Sequence, residues 1–489
     1  MPLRAKIINP SFSTHSSKKI TIEDGPMIDK QVPGESPSDV LFNTHYGVRT
    51  IELNRPGKMN SLNASMAQKI ISRLLEWTKS DLANIILISG AAVRGSPTGK
   101  KPFCAGGDVA ALAELNIKGP EGQRQSHDYF ALEYQLDHLI ATYPKPYIAY
   151  MDGITMGGGV GLSVHAPIRI ATERTIFAMP ETNIGFFPDV GGSFFLSRLE
   201  GSIGAYLALT SKHLRGVDVY FAGIATHYID SSTLPNLTAR LAELQFKDFD
   251  SLDTRLEIIN ATIAEFDTGL PFERYGMFVS ELRRAVDRCF SQGSVEEIIA
   301  AVRKEIRRGV PRVVRTWADD TLQALSERSP TSLRVALRLQ QLGKDWSIAE
   351  TFQREYELAG KFMAHPDFTQ GVSARLIRKP AAKPVWEPPT LQEVSEQRIE
   401  EMLQPQEGGK KLELFNTGDY RSYPHSLALP RDEEVAVLVK SGSMSKEALI
   451  SHLLGKYNHK LGLREKVNEI LKRCCSDSPN TGLRWREEQ

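Results

Sequence analysis

Glycine is concentrated at two places that any fold of this chain must accommodate, FCAGGD at 103–108 and GITMGGGVG at 153–161. Residues without a Cβ allow a ligand or another strand to come close to main-chain N–H groups. The second segment also opens a helix expected over 158–165. A helix start offers unsatisfied N–H donors at the positive end of its dipole. One N–H from each turn could form an oxyanion hole, in which losing a single donor costs roughly 3–4 kcal/mol of transition-state stabilisation. Taken singly, either turn reads as a tight packing device. Neither fits GxGxxG or GxxxxGK[ST], which excludes the nucleotide-binding folds those patterns mark.

A third segment, PETNIGFFPDVGG at 180–192, places Glu181 and Asp189 close together in sequence. Carboxylates beside exposed backbone N–H groups suit attack on an activated acyl carbonyl. Read alone, Glu181 is equally a loop or helix-start carboxylate, and Asp189 a turn former before Gly191 and Gly192. His165 reads as a packed or locally bonded histidine. His227 near Asp230 suggests a dyad but lacks a nucleophile elbow. Phe186 and Phe187 fit either a pocket wall or the core. Arg94, Lys100 and Lys101 could meet phosphates or simply line a solvated loop.

The 489 residues exceed one average domain and suffice for a large core. A net charge of +1 demands neither nucleic acid nor an anionic membrane as the main partner. No apolar run reaches the roughly 18–20 residues of a membrane helix, so no membrane insertion is expected. Cys104, Cys289, Cys474 and Cys475 fit neither a disulfide scaffold nor a zinc site, which points to a reducing compartment. Cys104 reads as a small buried filler. The first 19 residues carry Arg4, Lys6, Lys18 and Lys19 with no acidic residue, and resemble a mitochondrial presequence. Residues 24–40 read as a linker.

Short apolar runs at 48–53, 85–88, 147–151, 168–171 and 176–178 predict strands, and 62–77 carries helical spacing through Met66, Ile70, Leu74 and Trp77. This alternation argues for an α/β core with parallel elements. Beyond about 195 the pattern turns helical, with helices expected over 201–209, 252–265, 277–291, 295–307, 315–325, 331–341 and 347–362. Ser294 and Glu297 form a capping-box pair. Pro380, Pro384, Pro388 and Pro389 mark a connector before a last helix over 391–403. A separate tail begins near 405, with an apolar segment at 435–439 and an amphipathic pattern over 446–473. An exposed apolar stripe there would seek a partner.

Longer segments carry a more specific signal: LNRPGKMNSLN at 53–63, FCAGGD at 103–108, KPYIAYMDGITMGGGVGLSVH at 145–165, FAMPETNIGFFPDVGGSFFLSRL at 177–199, ALTSKHLRGVDVYFAGIATHYID at 208–230 and SPTSL at 329–333. Through them the chain resembles the crotonase (enoyl-CoA hydratase/isomerase) superfamily over about 40–400, and within it the 3-hydroxyisobutyryl-CoA hydrolases. The resemblance implies a crotonase-like spiral α/β core of ββα units followed by a helical region. It divides the chain into a presequence and linker (1–39), a catalytic core (40–235), a helical part (236–404) and a C-terminal extension (405–489).

The resemblance further implies oxyanion donors on the backbone of Gly107 and Gly158, Glu181 at the thioester carbonyl, and Asp189 positioning water or the 3-hydroxyl. Glu133 would order the polar end of the substrate. Gly161 stands where hydratases carry a first glutamate, which disfavours hydration. The implied reaction is hydrolysis of 3-hydroxyisobutyryl-CoA in valine breakdown, in the mitochondrial matrix. No metal or redox cofactor is implied, and CoA belongs to the substrate. The same resemblance leaves homo-oligomerisation open. Such hydrolases commonly end near 400, and the long tail is a feature of fungal relatives associated with the mitochondrial ribosomal small subunit. A protein or ribosomal partner held through 405–489 is therefore the second functional expectation, and enoyl-CoA hydration or isomerisation the third.

Overall fold

The computed structural model describes residues 36–92, 101–271, 280–405, 408–442, 444–476 and 483–486. The expected presequence lies outside these residues, as do Arg94 and Lys100. Six strands form the main sheet in the order β1 (Val40–His45), β2 (Val48–Leu53), β3 (Ile85–Gly90), β4 (Tyr147–Met151), β6 (Ile168–Ala171) and β9 (His227–Tyr228). β1 runs antiparallel to β2, and every other neighbouring pair in this sheet is parallel. A smaller sheet joins β5 (Ile154–Met156), β7 (Ile176–Ala178) and β8 (Leu214–Arg215).

The apolar run of β3 is continuous because both sheet faces are covered, the usual situation of a parallel strand. Ile86 and Ile88 enter one core with Ile51, Leu53, Met66, Ile70 and Leu74. Ile85 and Leu87 face the opposite core with Val48, Ile148, Ile168, Leu237 and Ile259. On the first face lies α1 (Ala64–Lys79), opened by Asn63, whose side chain accepts from the Met66 amide at 2.9 Å. Its apolar stripe through Trp77 is buried, and each such side chain contributes about 1.5–3 kcal/mol.

Two helices without an expectation from the sequence follow the first glycine turn, α2 (Val109–Asn116) and α3 (Pro120–Ala141). The next, α4 (Gly158–Val164), starts directly after the second turn. The later helices lie close to their expected places, including Ile203–Thr210, Leu252–Ala264, Arg312–Ser326, Pro330–Leu342 and Ile348–Ala364. The capping box at Ser294 and Glu297 is formed in both directions. The last expected helix divides into a short 3-10 turn, Leu391–Glu393, and the helix Glu396–Leu403.

The apolar stripe of the tail is packed rather than exposed. Leu412, Leu429, Val435, Leu449, Leu453, Val467 and Ile470 are buried in the same core as Tyr206, Tyr220 and Phe352. Charge also ties the extension down. Lys466 pairs with Glu200, which accepts from the Asp432 amide as well, and Arg283 pairs with Asp432 at 3.4 Å. The stripe thus finds its partner within this chain.

Candidate active site

The two glycine turns lie against one another. Cys104 donates its amide to Ile154 O at 2.8 Å and accepts from the Met156 amide at 3.0 Å, so the first turn extends the edge of β5. Gly106 at φ +106° and Gly157 at φ +46° take conformations that side chains rarely adopt. A Cβ on Gly158 would collide with Glu133 Oε1 and lie 3.3 Å from Gly107 N. The amides of Gly107 and Gly158 therefore flank one small space, and neither has a backbone acceptor among the described residues.

Around that space stand the carboxylates. Glu181 begins a short 3-10 turn after β7, and its Oε1 would be 3.0 Å from a Cβ on Gly157. Asp189 accepts a hydrogen bond from the Tyr134 hydroxyl at 2.7 Å. Glu133 sits one residue before Tyr134 on α3. All three are nearly inaccessible, at 2 %, 5 % and 4 % exposure for Glu133, Glu181 and Asp189. Glu133 Oε1 and Glu181 Oε2 have no hydrogen-bond partner among the described residues. Burying a charge without a partner is costly, which favours the protonated form of these groups. Burial and then the neighbouring Asp189 push Glu181 and Glu133 well above the usual carboxylate range. Burial raises Asp189 to about 7, against the lowering effect of the Tyr134 hydrogen bond. The structure thus brings together Gly107, Glu133 and Gly158 with the Glu181 and Asp189 of one later segment.

The loop that presents Asp189 is held under strain. Val190 has φ +52°, an outlier for a β-branched residue that costs of order 1–3 kcal/mol. His165 Nε2 bonds Val190 O at 2.8 Å, and Glu355 accepts from the amides of Gly191 at 2.7 Å and Ser193 at 2.9 Å. Burial pushes Glu355 up to about 8 against those two hydrogen bonds. Glu355 comes from the helix Ile348–Ala364, far along the chain, and no local motif signals it. Tyr129, Glu133 and Asp137 recur every four residues on α3, a spacing that places them on one face. Asp137 is fully buried, with both oxygens unpartnered among the described residues, and burial followed by Glu133 raises its carboxyl well above the ordinary range. That i, i+4, i+8 spacing was the available signal for Asp137.

Other candidates fall outside the chemistry. Cys104 is buried, and loss of solvent pushes its thiol up to about 12, consistent with a filler. His227 bonds Thr226 Oγ1 and Asn260 Oδ1, while Asp230 caps Ser232, so the pair forms no dyad. Lys101 pairs with Asp152 at 3.4 Å. Phe186 and Phe187 belong to the core, Phe186 stacked on Phe130 and the pair packed at tilted or edge-on angles against Phe362 and Phe368.

Comparison with known proteins places these features in context. The enoyl-CoA hydratase/isomerase family model matches residues 48–403. The small ribosomal subunit protein mS47 of Neurospora crassa is 49% identical over 493 aligned positions, covering 100% of this chain and 94% of that protein. The mitochondrial 3-hydroxyisobutyryl-CoA hydrolase of Gallus gallus is 41% identical, covering 76% of this chain and 90% of that one. Among solved structures, a carnitinyl-CoA dehydratase from Mycobacterium thermoresistibile superposes with a TM-score of 0.62 at 34% identity, covering 75% of this chain and 96% of its own.

Proposed function

Because the chain belongs to the enoyl-CoA hydratase/isomerase family, we propose that it is a protein of the mitochondrial small ribosomal subunit that has kept an acyl-CoA thioester hydrolase site. The observation that carries the ribosomal role is coverage. The similarity to the ribosomal protein spans the whole chain, extension included, whereas that to the hydrolase spans about three quarters of it, at 76%. Sedimentation of mitochondrial extract through a density gradient tests this role. Co-migration of the chain with the small subunit at physiological salt is expected, and a wholly free pool would overturn it.

The hydrolase role rests on the buried Glu181 carboxyl, with its Oε2 unpartnered among the described residues, beside the paired glycine turns. In this reading the Gly107 and Gly158 amides bind the thioester oxygen as it gains charge. Glu181 then serves in one of two ways. As nucleophile, its oxygen bonds to the carbonyl carbon, the C–S bond breaks, CoA leaves as thiolate, and water cleaves the anhydride. As general base, it takes a proton from the attacking water. Asp189 orients that water or a 3-hydroxyl, and Glu133 the polar end of the acyl group. A buried carboxylate waiting for a hydroxyl rejects acyl groups that lack one, which favours 3-hydroxyisobutyryl-CoA. Hydration is disfavoured because Gly161 offers no second carboxylate to clamp water. CoA release from 3-hydroxyisobutyryl-CoA and from an unsubstituted acyl-CoA tests this reading. Selective release by the wild type is expected, and none by well-folded protein would remove the hydrolase role while leaving the ribosomal one intact.

A further inference from the structure

A cleft of about 480 Å³ opens between the C-terminal end of α4 and the extension. One wall is the core, through Arg169, Arg198 and Lys344. The other is the extension, through Arg421 and Arg431. None of these five cations has a carboxylate within ion-pair range among the described residues. The lining Lys466 and Glu200 neutralise one another. His425 bonds Asp253 at 2.8 Å.

The two arginines at the base are held in place without being neutralised. Arg169 donates to Ile224 O at 2.6 Å and Ala166 O at 2.7 Å. Arg198 donates to the carbonyls of Phe194, Gly343, Trp346 and Arg421, and its guanidinium lies 3.6 Å from the centre of the Phe194 ring. Carbonyl groups fix the direction of a guanidinium but leave its full charge. Lys344, Arg421 and Arg431 stand exposed at the rim. Planar arginine forks arranged around a concave surface suit phosphate oxygens.

We propose that this cleft binds the phosphodiester backbone of RNA, an inference that rests on the ribosomal reading above. Two observations favour a polymer over a small anion. The cations line both walls along an open cleft, and one wall is built by the extension that the ribosomal relative shares. The acyl site lies at the opposite end of α4, so the two sites can be separated by mutation.

The test is binding of a fluorescein-labelled RNA oligonucleotide to the full chain across a salt series. It compares the wild type with a Lys344→Gln, Arg421→Gln, Arg431→Gln variant, whose fold is checked by thermal unfolding and by unchanged CoA release. Loss of at least tenfold in affinity, with the salt slope reduced by about 2–3 for three lost phosphate contacts, is expected. Equal binding by both proteins overturns the proposal, as does no RNA binding by the wild type at low salt. Competition by free CoA as effective as by RNA of equal phosphate content also overturns it, assigning the cleft to a small anion. Gradient sedimentation of the wild type separates the two readings. Co-migration with the subunit alongside equal RNA binding by the two proteins refutes the cleft alone. Failure to co-migrate while RNA binding is lost in the variant refutes the ribosomal role alone.

Discussion

Gly161 and Asp137 share one space: a Cβ on Gly161 would lie 2.5 Å from Asp137 Oδ2 and 2.7 Å from Oδ1. The glycine is demanded by its neighbour, since Gly161 lies within α4 with no positive φ. A carboxyl from α3 thus stands beside the position where hydratases carry a glutamate. Gly161→Ala should lower stability by about 1–3 kcal/mol through overpacking. Adding Asp137→Ala should recover much of that loss. A double-mutant cycle in urea unfolding measures the coupling, and simple additivity would count against the shared space. Restoring the glutamate alone, as Gly161→Glu, should yield no hydratase activity.

Glu181→Gln keeps the shape of the side chain and removes its capacity to accept a proton or attack carbon. CoA release should fall by roughly 100-fold or more, the lower end for general-base catalysis. The unfolding midpoint should hold, because a buried acid that favours its neutral form has been replaced by an amide of the same size. A stopped thioester assay with parallel calorimetry reads both. Retained turnover would move the chemistry away from this residue.

Tyr134→Phe tests the tuning of Asp189. The hydroxyl stabilises the ionised carboxylate at 2.7 Å, so its loss should raise Asp189 further above about 7. The acidic limb of the kcat/KM profile should move to higher pH by about one unit, the equivalent of one net hydrogen bond. An unmoved limb would mean that ionised Asp189 is not required.

Stability should depend on pH in a direction set by the same acids. Asp189 at about 7 and Glu355 at about 8 bind protons more tightly when folded than when unfolded. Their contribution is therefore complete below the ordinary carboxylate range and is lost as pH rises toward 7–8. Chemical unfolding from pH 5 to pH 8 should show a falling free energy. Asp189→Asn should make that fall shallower.

Arg473 holds the extension together and reaches the rest of the protein through Asp287 at 4.0 Å. Its side chain is 6 % exposed, while its partners Asp432 and Glu469 are about one fifth exposed, at 21% and 20%. Arg473→Ala leaves Glu469 without its cation and Asp432 with Arg283 alone at 3.4 Å, and should cost about 2–3 kcal/mol, below the range for a fully buried pair because water reaches them. Truncation at 404 should be more damaging, exposing apolar surface now covered by Leu429, Val435, Leu453 and Ile470. Solubility and the unfolding midpoint check both.

The strands β2, β3, β4, β6 and β7 and most of the later helices were legible because short apolar runs and 3.6-residue spacing are local properties. The helices α2 and α3 were not, since α3 buries Tyr129, Glu133, Asp137 and His138 together and so breaks the apolar pattern. Glu181 and Asp189 could be singled out because they share a short glycine-bounded segment. Glu355 could not, because its role depends on two amides more than 160 positions away in sequence.

The extension separates the two kinds of information. Its amphipathic stripe over 446–473 follows from residue order, since helical periodicity needs only neighbours. What the stripe packs against does not, because apolar burial is non-directional and any apolar surface satisfies it. Folding back placed it in this chain's own core, beside Tyr220 and Phe352. Charge behaves in the same way. A net of +1 is a property of the sequence, but whether cations cluster depends on distance, because Coulomb energy falls with separation and salt screens what lies beyond about 10 Å. Tertiary structure alone brought Arg169, Arg198 and Lys344 to face Arg421 and Arg431 across one cleft.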